Sequence, residues 1–321
     1  MNYTNELNLP KPLVDAATSS YKYKKNRYSV TALLGGACEA ILKRRHDSEI
    51  TEDVSQRIWA VFGTAVHKVL QEAEATETQL QENWVSVPIT VKKNGNCDKD
   101  GNPVEPYEKV GNYELSGIFD LYDDSTGTVT DYKTCATWKI IFGDFEDWRK
   151  QTLAYCWMLR SQGFNARRGE IVALIRDHNQ RKAKTEKDYP KHPVFKIEWD
   201  FRESDFEQMQ LDVISWFSQI MDEEELPDSE LEPCSPEQRW HKPDKWAVMR
   251  KGQKRAVKLF DSKDEALGFM DWLANQPSNK GKGLYIEERP GEDTKCESYC
   301  SVAEFCPYYQ ALMRSREEPE S

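Results

Sequence analysis

The chain has 321 residues, 38% of them hydrophobic, with 10 tryptophans and a net charge of −11. That is enough apolar matter for one large domain or a domain with a sizeable insertion. The negative charge excludes a protein that coats nucleic acid by overall basicity, yet it leaves room for a local basic face.

Residues 1–24 are polar and read as an extension. After "YSVTALL" comes "DVSQRIWAVFGTAVHKVLQEAEA", where Ile58, Val61, Phe62, Val66, Val69 and Leu70 recur at helical spacing behind Asp53 as N-cap. "NWVSVPITV" alternates as a strand does, and "YELSGIFDLYDDSTGTVTDYKT" reads as two strands joined by the turn "DDSTGT". "FEDWRKQTLAYCWMLRSQGF" has a 3.6-residue apolar period and stops at Gly163, before the strand-like "GEIVALIRD". Strand, helix and strand then make a crossover that sets a late strand parallel to an earlier one.

"VFKIEWDF" and the helical "ESDFEQMQLDVISWFSQIM" follow, so a mixed central β-sheet flanked by helices is expected. The acidic, proline-bearing "DEEELPDSELEPCSPEQ" marks a surface connection. Beyond it, "KWAVMRKGQKRAVKLF" reads as a basic hairpin turning at Lys251 and Gly252, and "SKDEALGFMDWLA" as a short helix. Together they form a small α+β insertion. A linker, "NQPSNKGKG", and the strand "LYIEE" lead to a cysteine-rich end. No apolar signal region and no run of about 18 apolar residues occurs, so no membrane partner is expected and the expected location is cytoplasmic.

Asp131 and Lys133 are two residues apart in "GTVTDYKTCATW" and share one face of a strand, with Tyr132 on the other. Alone, such a pair is an ordinary ion pair worth little. Its neighbours change the reading. Asp120 ends the preceding strand, and the hairpin brings it beside Asp131, where two carboxylates repel unless a hard divalent cation, Mg²⁺ or Mn²⁺, lies between them. A lysine beside a metal-bound water can orient that water and offset charge on a phosphate. Upstream, Gly63 and His67 in "GTAVH" share a helix face; Gly63 allows a bulky group near the backbone, and His67 is a candidate third ligand. Gln151 and Tyr155 in "QTLAY" repeat that spacing and can hydrogen-bond a phosphate or position the site.

G-x-x-x-H, G-x-x-D, D-Y-K and Q-x-x-x-Y thus occur in order on helix, strand, strand and helix. This set resembles the PD-(D/E)XK nuclease superfamily, and its RecB-type domain in particular, over about residues 25–205. Tyr132 stands where the superfamily label suggests an acid or glutamine; D-Y-K is a familiar form of the RecB-type branch. The resemblance implies an α/β, restriction-endonuclease-like core and metal ligation by His67, Asp120, Asp131 and the carbonyl of Tyr132. It further implies that Lys133 is the catalytic lysine and that Gln151 and Tyr155 are accessory. The expected organisation is an extension over 1–24, the nuclease core over 25–224, the insertion over 225–280, a strand and metal-cluster segment over 281–313, and a disordered tail over 314–321.

"KCESYCSVAEFCPYY" places Cys296, Cys300 and Cys306 within eleven residues and ends in Cys-Pro. In a reducing compartment a disulfide framework is not expected of the eight cysteines, and soft thiolates select zinc or an iron–sulfur cluster. Paired C-x₂-C knuckles of a zinc ribbon are lacking, so a 4Fe–4S cluster fits better, with zinc as the alternative. The arrangement resembles the iron–sulfur nucleases of the CRISPR adaptation and AddB-type groups, in which the fourth ligand precedes the core, as Cys38 does here. The C-terminal third instead resembles phage and prophage RecB-like nucleases. In that family a cysteine before an E-x-R-W element, here Cys234, joins the terminal three, and Cys234 is the preferred ligand. Cys97, Cys135 and Cys156 read as structural or incidental.

The function so implied is a metal-dependent DNA exonuclease of phage or prophage recombination or end processing. DNA is the expected partner, together with a recombination annealing or single-strand-binding protein. The alternatives are a non-catalytic iron–sulfur or zinc DNA-binding subunit on the same fold and a nuclease acting on RNA. "RKGQKRAVK" and "RDHNQRKAKTEK", with Trp240 and Trp246, are candidates for tracking a backbone and stacking bases.

Overall fold

The computed structural model describes residues 1–18, 22–93, 109–277 and 283–317. The chain divides after Glu232 into two compact units. The first opens with β1 (Asn2–Thr4), α1 (Lys11–Ala17), β2 (Arg27–Ser29), α2 (Val30–Leu33), α3 (Ala37–Arg45) and β3 (Thr51–Asp53), which pairs in parallel with β1. The Asp53 carboxylate accepts from the Ser55 N–H and caps a 3₁₀ turn, Val54–Arg57, rather than the helix itself; α4 (Ile58–Gln71) starts one turn later.

The rest of this unit is β4 (Gln79–Lys93), β5 (Lys109–Asp123), β6 (Thr128–Cys135), α5 (Thr137–Phe142), α6 (Glu146–Ser161), β7 (Arg168–Ile175), α7 (Gln180–Thr185), β8 (Val194–Asp200) and α8 (Glu203–Glu223). The β5–β6 turn closes at Gly127, whose φ of +68° is open to glycine and where a Cβ would lie 2.4 Å from the Asn165 carbonyl oxygen. β6 and β7 are parallel, as the crossover demands, and β8 returns antiparallel to β7. α6 has Glu146 and Asp147 in its first turn and Arg160 in its last, each suited to the helix dipole.

Six strands form one mixed sheet. β4 lines one edge of β5 along its whole length, so β2 and β6 share the other edge, β2 at residues 114–116 and β6 at 121–123. Gly117–Asp120 fall between them, where the edge opens. The core lies on both faces. Ile171, Ala173 and Ile175 of β7 pack with Trp148 and Cys135, while Tyr28, Tyr113, Trp216 and Phe217 form an aromatic cluster under α8. Each such fully buried side chain contributes about 1.5–3 kcal/mol. α4 departs from its sequence pattern. None of its residues is fully buried, and Phe62 and Val69, expected on its inner face, are 41% and 69% exposed.

The second unit contains β9 (His241–Lys242), β10 (Lys245–Arg250), β11 (Lys258–Phe260), α9 (Lys263–Ala274), β12 (Leu284–Arg289), β13 (Glu292–Asp293), α10 (Thr294–Ser298) and α11 (Pro307–Glu317). β11, β10 and β12 make an antiparallel sheet, turned at Gly252 with φ +84°. Val248, Ala266 and Leu273 are its core. Trp246 packs against them, so this ring is spent on the fold and is not available to stack on a base; Trp240 is exposed. β9 and β13 form a separate short ribbon. The insertion and the cysteine segment belong to one unit that starts at Pro233 rather than at 225. Residues 314–317, expected as tail, continue α11, where Arg314 and Arg316 suit the helix C-terminus and Arg316 meets Glu297 at 3.0 Å. Residues 318–321, Cys97 and most of the 275–283 linker lie outside the described residues.

Candidate metal centres

The opening in the sheet edge positions the first centre. Asp120 sits at the end of that gap, 8% exposed, and its Oδ2 accepts the Tyr132 N–H of β6 at 2.6 Å. The next residue along β6 on the other side of this amide, Asp131, is 3% exposed. Lys133, two residues on, donates to Gln151 Oε1 at 2.8 Å and lies 2.6 Å from Asp131 Oδ2. That contact is off the angle of a hydrogen bond, so the buried Asp131 Oδ2 has a charge beside it and no donor aimed at it.

α4 brings in His67, whose Nδ1 lies 3.2 Å from Asp120 Oδ1. Its companion Gly63 leaves its backbone open: a Cβ there would meet only Thr134 Oγ1 at 3.7 Å, an ordinary contact. Gly117 is closely approached, since a Cβ there would lie 2.7 Å from the Tyr155 ring. Tyr155 is 5% exposed, hydrogen-bonded to Gln151, and thereby tied to Lys133. The two accessory residues of α6 thus hold the lysine.

The sequence reading missed Glu82. It lies in β4 between the pairs Gln81–Leu121 and Asn83–Phe119, which sets it opposite Asp120. Its φ is +48°, a left-handed conformation that costs a non-glycine residue about 1–2 kcal/mol. Ligand atoms of His67, Glu82 and Asp120 all lie within 4.8 Å of one another. A left-handed glutamate inside a strand is strain held at a site, and no local pattern announces it.

The charges show what the centre lacks. Burial pushes the Asp131 carboxyl up to about 6, the nearby Lys133 opposing this and Asp120 adding to it. Burial, then Asp120, raises Glu82, and the hydrogen bond to Asp120 raises His67 against the pull of burial. Three acids face one lysine and one histidine, so the site takes up protons unless a cation replaces them. Hard oxygens, one imidazole and an oxygen without a donor are a donor set that fits Mg²⁺ or Mn²⁺.

Cys234, Cys296, Cys300 and Cys306 all belong to the second unit. Burial pushes the Cys296 thiol up to about 12, and Cys300, Cys306 and Cys234 each add to the shift, as does Asp293. Cys234, Cys300 and Cys306 thus lie within electrostatic reach of Cys296, the four coming from a loop before β9, from α10 and from the turns after it. Cys38 is 1% exposed in α3, within the core of the first unit. Cys135 and Cys156 are core residues, the latter donating to the Arg168 carbonyl. "RKGQKRAVK" forms the exposed β10–β11 turn, and "RDHNQRKAKTEK" contains α7, with Lys182 5.9 Å from the Tyr189 ring.

A mixed α/β sheet with acids, a histidine and a lysine gathered at its open edge is the architecture of a metal-dependent nuclease. The PD-(D/E)XK nuclease superfamily description matches residues 77–307, and the chain belongs to that superfamily. Metal-dependent cleavage of nucleic acid is the activity that membership indicates. The comparison with curated proteins found no match. A solved structure titled "Crystal structure of SSO0001" aligns over 64% of this chain and 82% of its own, with 17% identity and a TM-score of 0.40. Among the described residues no helix is long and apolar enough to cross a membrane.

Proposed function

We propose that the chain is a RecB-type DNA exonuclease of phage or prophage recombination or end processing, working beside a recombination annealing or single-strand-binding protein. One observation carries the catalytic part: Asp120, Asp131, Lys133 and His67 converge at the gap in β5's edge, with Glu82 opposite. His67, Glu82, Asp120 and Asp131 would hold Mg²⁺ or Mn²⁺, with the Tyr132 carbonyl as a further ligand. Such an ion supplies a more acidic water and neutralises charge on the phosphate. The chain's own part is positional. Lys133 holds the attacking water and offsets phosphate charge; Gln151 and Tyr155 keep that ammonium pointed at the site, and burial of Asp131 keeps bulk water from screening it.

Cys234, Cys296, Cys300 and Cys306 would hold a 4Fe–4S cluster of structural role, because four neighbouring thiols beside a carboxylate repel one another once ionised and need a soft cation group. The test is anaerobically purified protein incubated with end-labelled linear DNA, covalently closed DNA and RNA, with Mn²⁺ or with chelator. Loss of the linear DNA alone, abolished by chelator, is expected. Cleavage of RNA but of neither DNA would overturn the substrate assignment, and bound zinc without iron would overturn the cluster.

A further inference from the structure

Around the four thiols is a polar frame that the nuclease chemistry does not use. Asp293, 3% exposed at the end of β13, accepts from Tyr308 Oη at 2.6 Å and meets His241 Nδ1 at 2.9 Å, while Arg239 Nε lies 3.3 Å away as an ion pair outside hydrogen-bond geometry. Burial opposes its ionisation, but these three partners outweigh that and hold the carboxyl below its usual range. Arg239 does more. Its Nη1 donates to the Cys234 carbonyl, its own carbonyl accepts the Lys295 N–H at 3.1 Å, and its guanidinium lies 4.1 Å from the Tyr308 ring. The side chain therefore joins the Cys234 carbonyl to Asp293, the residue that precedes the helix bearing Cys296, and the backbone of the same residue adds a second tie to that helix.

The backbone is bent to allow this. Trp240, between Arg239 and His241, has φ +54°, a conformation L-residues seldom adopt, and it aims both neighbours at the same carboxylate. The frame also answers a charge problem, because four thiolates and Asp293 repel one another and Arg239 is a cation among them.

We propose that Arg239 and Asp293 form a clamp that sets Cys234 against Cys296, Cys300 and Cys306, so that the thiol site is a cup assembled by an ion pair and not by its metal group alone. The inference rests on the reading of the four thiols as a metal site. Arg239 and Asp293 are positioning residues, as hydrogen-bonded partners behind metal ligands commonly are. Arginine is required because its planar fork reaches carbonyl and carboxylate together while stacking on Tyr308, which a lysine cannot do.

The test uses the full chain. Iron per chain is measured after anaerobic purification, and Co²⁺ is then titrated into chelator-treated protein, following the thiolate-to-cobalt absorbance. Arg239→Ala, Arg239→Lys and Asp293→Asn should each lose iron and weaken Co²⁺ binding about 10–100-fold. Leu273→Ala, in the core of the neighbouring small sheet, should lower the melting temperature without changing Co²⁺ affinity. Wild-type iron and Co²⁺ affinity in Arg239→Ala and Asp293→Asn would overturn the clamp, as would an equal loss of affinity in Leu273→Ala. A wild-type chain that binds neither iron nor Co²⁺ at these thiols would overturn the metal-site reading itself.

Discussion

The two centres differ in what holds them. The carboxylate centre is built on long strands whose ladders and core need no ion: β4 and β5 pair over their full length, and β6 pairs with β7 over eight residues. Its donors stay in place without a metal and simply gather protons. The thiol centre is built on a two-residue ribbon, a five-residue helix and turns, segments too short to stand alone. A metal placed on the first is chemistry, whereas a metal placed on the second is also folding energy. Hard oxygen on a stiff sheet and soft sulfur on short segments are thus two solutions to two different needs.

The contrast can be broken most sharply at Asp131. Asp131→Asn keeps the shape and removes the charge, and should slow cleavage about 10³-fold in a chain that still folds. Cys300→Ser should do the reverse, removing iron and exposing the segment after Pro233 to protease while the sheet of the first unit keeps its protection; equal digestion of both units would contradict it. Gly117→Ala drives a Cβ into Tyr155 and, through Gln151, displaces Lys133, so a loss of about 10²-fold is expected, measured as kcat in Mn²⁺. Gly63→Ala, by contrast, should stay near wild type, since the added methyl only touches Thr134.

Acidity gives a smaller handle. The folded Asp131 carboxyl titrates at about 6, above the usual 3.9 or so of an aspartate. Between those values the folded metal-free chain holds a proton that the unfolded chain has lost. The stabilisation this gives is complete below about pH 4 and is lost as the pH rises through about 6. The metal needs the carboxylate ionised, so Mn²⁺ affinity should rise through the same window, by up to about tenfold per pH unit for one proton, and more steeply with the raised His67. Calorimetric titration at pH 5, 6 and 7 reads this slope, and a flat profile would remove Asp131 from the ligands.

Much of the first centre was legible because its parts are local. The turn at Gly127, the alternation of β6 and the period of α6 fix where Asp131, Lys133, Gln151 and Tyr155 point. What escaped depends on pairing across the chain. β2 is three residues long and has no period to detect, yet it helps define the gap that holds Asp120. Glu82 becomes a site residue only because β4 lies antiparallel to β5 with Glu82 opposite Asp120. The close packing of Gly117 on Tyr155 also escaped, since alternation along a strand does not show what lies against it. For the thiols, spacing named three, and resemblance left Cys38 as the rival of the preferred Cys234; the contacts that tie the Cys234 carbonyl through Arg239 to Asp293 join residues far apart in sequence, which no local pattern announces.

If the oxygen centre cuts and the sulfur centre holds, the two can be separated in one experiment. Cleavage of end-labelled linear DNA by wild type and Asp131→Asn, with Mn²⁺ and in preparations of matched iron content, tests this division most directly. Wild type should cleave rapidly with Mn²⁺ and the variant essentially not at all, although both are folded and carry the same iron. Undiminished Mn²⁺-dependent cleavage by Asp131→Asn would contradict it.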